Sequence, residues 1–160
     1  MPRAEVQQDL QPSLLDRLTD PGSEGPGSQT GYSLEQLLQK VQEDLSDLLN
    51  TYASYRRPKE DYPEVYNSII AYGLPDLASM SAITPEQRAQ IGRELQDVVE
   101  RFEPRLKDVK ARLLDPGEQA GRTVRFRIDA TLRADPAPAV AFETILELAT
   151  GRYAVEQGGG

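Results

Sequence analysis

The residue types in this chain whose chemistry is most worth weighing are its carboxylates. Its 160 residues include 26 Asp and Glu but no His and no Cys. That removes Ser-His-Asp and Cys-His nucleophile systems, zinc sites built from the usual ligands and disulfides. What remains is acid hydrolysis by a carboxylate pair, which needs two groups about 5–9 Å apart with one holding its proton. Glu103 is the best-placed member, in Arg101-Phe102-Glu103-Pro104-Arg105-Leu106, where a helical pattern gives way to a strand pattern. Arg101 and Arg105 flank it, however, and a neighbouring cation favours the charged carboxylate, the wrong form for a general acid. Aromatic residues make up 6% of the chain and Trp is absent, so no sugar-stacking cleft is expected. The sequence therefore predicts no enzyme, no cofactor and no metal site. Glu103, Pro104 and Arg105 read either as a turn whose charges pair locally or as a docking site. In the second case the planar Arg fork takes a partner's carboxylate in two places.

The elements that must position this junction follow from the patterning. Hydrophobic residues are 38% of the chain, below the ~45–50% of a typical globular domain, and much of the deficit lies in the first 31 residues. The net charge is −8, which argues against nucleic acid and anionic membrane as main partners, since both call for a basic face. No apolar run approaches the ~18–20 residues of a membrane span, so a soluble, cytoplasmic protein without membrane insertion is expected.

Residues 1–31 are expected to be a flexible segment. Within it Pro12-Ser13-Leu14-Leu15-Asp16-Arg17-Leu18 could form a short helix. Leu14, Leu15 and Leu18 would serve as a latch on the body or as a docking peptide. The Gly- and Pro-rich run at 20–31 reads as a linker. Residues 32–157 form the predicted domain and 158–160 a frayed tail.

Ser33 and Gln36 form a capping box for a helix with Leu34, Leu37, Leu38, Val41, Leu45, Leu48 and Leu49 on one stripe. The charges off that stripe, Asp44 among them, read as a solvated face. Arg56-Arg57 sits in a loop and reads as a solvated turn or a partner contact. Pro63 to Tyr72 reads as one short helix ended by Gly73, with Val65, Ile69 and Tyr72 sharing a face. Thr84, Pro85 and Gln87 open a second long helix, which Pro104 must end near Phe102. From Arg105 the period becomes two. Val124, Phe126, Ile128, Ala130 and Leu132 alternate with Arg125, Arg127, Asp129 and Thr131. Further strands follow around Val140–Leu148 and Tyr153–Val155, the last two joined at Thr150-Gly151. The prediction is an α+β domain, with helices on one face of a three- to four-stranded antiparallel meander.

Phe102-Glu103-Pro104-Arg105-Leu106 resembles the Glu-Pro-Arg signature of the phage baseplate wedge family. Within that family the chain resembles the TssE branch, the wedge subunits of bacterial type VI secretion baseplates. Pro12–Leu18, Asp44-Leu45, Leu48-Leu49-Asn50-Thr51 and Ser68–Leu77 resemble that branch in the same order. Glu43 and Tyr52 stand where relatives often carry Arg, and Arg56-Arg57 could substitute for those basic positions.

The resemblance implies a non-enzymatic subunit that joins the baseplate to the contractile sheath and nucleates sheath polymerisation by strand addition. It also implies a fold similar to the sheath assembly domain. The implied partners are TssF, TssG and the sheath, with six copies per baseplate. The implied place is the cytoplasmic side of an inner-membrane apparatus in a Gram-negative bacterium. Glu103, Pro104 and Arg105 would hold the neighbouring baseplate subunits. The alternatives are a lysozyme-like carbohydrate hydrolase and a generic acidic adaptor.

Overall fold

The computed structural model describes Leu18 and residues 33–53, 62–75, 84–114 and 123–158. Leu14, Leu15, Arg56 and Arg57 lie outside the described residues, as does the linker at 20–31. The chain divides into two compact units, residues 1–41 and residues 42–160.

Helix α1 (Leu34–Asn50) starts at the expected capping box. Gln36 N donates to Ser33 Oγ at 3.2 Å, and Ser33 N donates to Gln36 Oε1 at 2.9 Å. In the first unit Leu37 and Val41 are buried, while Leu34, at the first helical position, is 43% exposed. In the second unit the same stripe buries Leu45, Leu48 and Leu49.

The next segment departs from expectation. Helix α2 is a single turn (Pro63–Tyr66), followed by a 3-10 turn at Ile69–Ala71. The cause sits at Ser68, whose backbone is extended and whose N–H and Oγ both donate to the Val65 carbonyl. A side chain that competes for a backbone acceptor in this way breaks a helix. The phase then changes, so Ile69 and Ile70 face solvent at 79% and 58% exposure while Ala71 is buried. Gly73 does take a positive φ, 103°. There the chain crosses Thr51: Leu74 N donates to the Thr51 carbonyl, and Ala53 N donates to that of Leu74.

Helix α3 (Pro85–Phe102) opens on a complete Thr84–Gln87 capping box and buries Ile91, Gly92, Leu95, Val98 and Val99. Its end is where Pro104 requires it, since a proline cannot continue the hydrogen-bond ladder. Strands β1 (Leu106–Leu113), β2 (Thr123–Leu132), β3 (Ala139–Glu147) and β4 (Arg152–Gln157) form one antiparallel sheet in chain order. The hairpin between β3 and β4 is longer than expected, because β3 stops at Glu147 and Gly151 N closes a turn on the Glu147 carbonyl.

One face of the sheet is buried: Val124, Phe126, Ile128, Ala130 and Leu132 of β2, Phe142 and Leu146 of β3, and Tyr153 and Val155 of β4. Strand β1 reaches that face only through a bulge. Lys107 pairs with Thr131 but Lys110 pairs with Asp129, with Asp108 at φ 56° between them. The extra residue lets both Leu106 and Val109 turn inward, which an unbroken period of two forbids; both are 2% exposed. Helix α3 lies over β1 and β2, close enough that a Cβ on Gly92 would stand 3.5 Å from the Phe126 ring. Among the described residues no helix is long and apolar enough to cross a membrane.

Candidate functional site

The junction between α3 and β1 is a clasp. Glu103 continues the helix ladder by donating its N–H to the Val99 carbonyl at 2.9 Å, and its own carbonyl accepts from Leu106 N at 3.1 Å. Its backbone is no longer helical (φ −113°), as the residue before a proline requires. The side chain therefore turns inward and is 4% exposed.

Arg105 returns from the far side of Pro104 to meet it. Arg105 Nε donates to Glu103 Oε1 at 2.7 Å, Nη2 to Oε2 at 2.5 Å, and the Arg105 backbone N–H to Oε1 at 3.1 Å. The same Nη2 donates to Asp44 Oδ2 of helix α1. The Arg105 carbonyl accepts from Arg133 N at 2.7 Å, just beyond the end of β2. Burial alone would lower the pKa of Arg105. The hydrogen bond and charge of Glu103, and then those of Asp44, outweigh it and push the pKa up. The guanidinium is thus a fixed cation joining α1 to the α3–β1 junction, while the Arg105 backbone ties that junction to the end of β2.

Arg101 does a parallel job one turn earlier. Its guanidinium lies 3.9 Å from the Tyr66 ring centroid and 4.6 Å from that of Phe102. Its Nη1 donates to the Tyr66 carbonyl at 3.2 Å, and Nη2 lies 3.4 Å from Asp97 Oδ2. Tyr66 Oη donates to the same Asp97 oxygen at 2.5 Å. Burial first, then the hydrogen bond to Asp97, raises the Tyr66 pKa to about 12. Phe102 stacks edge-on against Tyr72, with centroids 5.3 Å apart.

Of the residues singled out in the sequence, the structure brings Glu103 and Arg105 into direct contact and leaves Pro104 exposed between them. Leu18 is helical and 83% exposed. Asp44 was read as part of a solvated face, but it is the third member of the clasp. Its signal was available: three residues after Val41 and four before Leu48, it borders the apolar stripe rather than opposing it. The Tyr66–Asp97–Arg101 group carried no comparable signal, because its members belong to two elements of unknown relative placement.

The arrangement offers little to a substrate. Both Glu103 oxygens accept from Arg105, and the carboxylate that shares that guanidinium, Asp44, is bound by it as well. Its geometry is that of a rigid joint.

The model of the family described as "Baseplate wedge protein gp25" matches residues 35–137. The chain belongs to this baseplate wedge family. The match spans helix α1 to the turn after β2 and so includes all three members of the clasp, Asp44, Glu103 and Arg105. A chain of a solved structure described as "The baseplate complex from the type VI secretion system" is similar at 21% identity. That likeness covers 69% of this chain and 94% of that one, with a TM-score of 0.48. No curated protein matches the chain. As a wedge-family member the chain is a structural component of a baseplate, working among other baseplate subunits.

Proposed function

We propose that this wedge-family chain serves a type VI secretion baseplate in the part that TssE subunits play. It joins the baseplate wedge to the contractile sheath and starts sheath polymerisation without catalysing a reaction. The observation that carries this reading is the family match across 35–137, which encloses the intact Glu103-Pro104-Arg105 clasp. The ordered run of motifs around Asp44-Leu45, Leu48–Thr51, Ser68–Leu77 and Phe102–Leu106 supports the type VI branch.

The partners are TssF and TssG on one side and sheath subunits on the other, with six copies per baseplate at the cytoplasmic face of the inner-membrane apparatus. Exposed Pro104 and the solvent-facing quarter of Arg105 would contact a baseplate subunit. Arg56, Arg57, Leu14, Leu15 and Leu18 would add further contacts. A sheet ordered β1-β2-β3-β4 ends in two edge strands, and an edge strand takes an added strand through its main chain. That is the means by which the first sheath ring would be templated.

The test is reconstitution. Sheath protein is mixed with baseplate subunits in the presence and absence of this chain, and polymer growth is followed by light scattering and electron microscopy. Sheath should grow from baseplates only when the chain is included; equal growth without it would contradict the proposal. A peptidoglycan turnover assay should show no activity that Glu103→Gln abolishes.

A further inference from the structure

We propose that the incoming sheath strand adds along β1 rather than β4, and that the strand it takes is acidic. This rests on the sheath-joining reading above.

The two edges are not equivalent. On β4, Gly158 N donates to the Ala141 carbonyl at 2.8 Å. Because an antiparallel ladder repeats every two residues, Arg152, Ala154 and Glu156 direct their backbone groups at β3, and Tyr153, Val155 and Gln157 direct theirs outward. Helix α1 engages both outward groups of Tyr153 and the outward carbonyl of Val155. Asn50 accepts from Tyr153 N at 3.0 Å and donates to its carbonyl at 2.9 Å, and Gln42 Nε2 donates to the Val155 carbonyl at 2.9 Å. A side-chain amide offers the same donor and acceptor as a strand's peptide group, so α1 holds the place of a fifth strand. An added strand would have to displace it.

On β1, Leu114 N donates to the Arg125 carbonyl at 2.9 Å. By the same period Lys110 and Arg112 bond to β2, and Ala111 and Leu113 face outward. Among the described residues the one hydrogen bond there is Ala111 N to Gln96 Oε1 at 3.4 Å, beyond the usual N–H···O range. The Ala111 carbonyl and both Leu113 backbone groups have no partner among the described residues, and the Leu113 side chain is 44% exposed.

Charge then selects the occupant. The solvent face of the sheet carries Lys107, Lys110 and Arg112 on β1 and Arg125 and Arg127 on β2. Against these five cations stand Asp129, bound by Arg127 at 2.9 Å and Arg112 at 3.7 Å, and Asp108 in the bulge. On β3 and β4 the same face carries Glu143, Glu147 and Glu156 against Arg152. A chain of net charge −8 thus places three cations, Lys107, Lys110 and Arg112, on its β1 edge strand. Lysines on an edge repel a like strand, so a second copy of β1 is disfavoured. An acidic strand gains from every one of them, with steering that salt weakens.

The experiment measures binding of purified sheath protein to the full chain held in the reconstituted baseplate, by biolayer interferometry at two salt concentrations. Leu113→Pro removes an outward N–H and leaves the β1–β2 ladder intact; Lys110→Glu/Arg112→Glu reverses the edge charge without touching the backbone. Arg152→Glu on β4 is the comparison, and far-UV circular dichroism with thermal melts verifies each fold. The proposal expects sheath affinity to fall at least about tenfold in both β1 variants and to change less than about twofold in the β4 variant. Undiminished binding by the charge-reversed variant overturns the acidic strand, and loss confined to the β4 variant overturns the choice of edge. Absence of sheath binding by the wild-type baseplate overturns the sheath-joining reading itself, and this inference with it.

Discussion

The guanidinium of Arg105 grips the carboxylate of Glu103 through two parallel hydrogen bonds, 2.7 and 2.5 Å long, across the intervening Pro104. Glu103 is almost wholly buried, whereas Arg105 is a quarter exposed. The sequence left Arg105 as either part of a locally paired turn or a docking residue. The geometry gives it a second role as counter-ion to a buried acid. Removing one partner of such a pair strands the other. Arg105→Ala should therefore cost about 2–3 kcal/mol in urea unfolding, while Asp44→Asn, whose carboxylate is half exposed, should cost less than about 1 kcal/mol. Assembly assays on Arg105 variants need a temperature at which the variant is folded. A folded variant that binds baseplate subunits like wild type would remove Arg105 from the interface.

Gly73 is fixed by backbone crossing. A Cβ there would stand 2.3 Å from the Thr51 carbonyl oxygen, at a φ of 103°. Gly73→Ala should lower stability by about 1–3 kcal/mol, seen as a lower urea midpoint with an unchanged slope.

Thr144 faces the core of β3 at zero exposure, and its Oγ1 has no hydrogen-bond partner among the described residues. Thr144→Val removes that desolvated hydroxyl. It should stabilise the fold by about 1 kcal/mol, raising Tm by roughly 2–4 °C for a chain of this size.

Tyr66 links alkaline pH to stability. Burial, and then the hydrogen bond to Asp97, push its phenol up to about 12 from the ordinary 10.0. The fold therefore favours the neutral form: the contribution is complete below pH 10 and is lost as the pH rises through 12. In Tyr66→Phe the decline of stability between pH 10 and 12 should be shallower, and the phenolate absorbance titration should lose a late-ionising group.

Much of the fold was legible because its signals are local. The Ser33–Gln36 and Thr84–Gln87 boxes, the stop at Pro104 and the alternation from Val124 to Leu132 each depend on residues within a few positions of one another. Two features that depend on competition were missed. Ser68 takes the Val65 carbonyl and splits what read as one helix. Asp108 adds a residue to β1, so Leu106 and Val109 face inward together. At the site, Glu103 and Arg105 were legible as a charged pair two residues apart. That Asp44 joins them, and that Asn50 and Gln42 line the β4 edge, depends on where α1 packs, which no local pattern encodes.

Whether the chain links baseplate to sheath decides its function. The direct measurement is electron microscopy of baseplates assembled from TssF, TssG and their partners with and without this chain, each offered sheath protein. Wedges that carry the chain in fixed stoichiometry should bear sheath, and baseplates should stay bare when it is omitted. Sheath of equal length and number on baseplates lacking the chain would contradict that link.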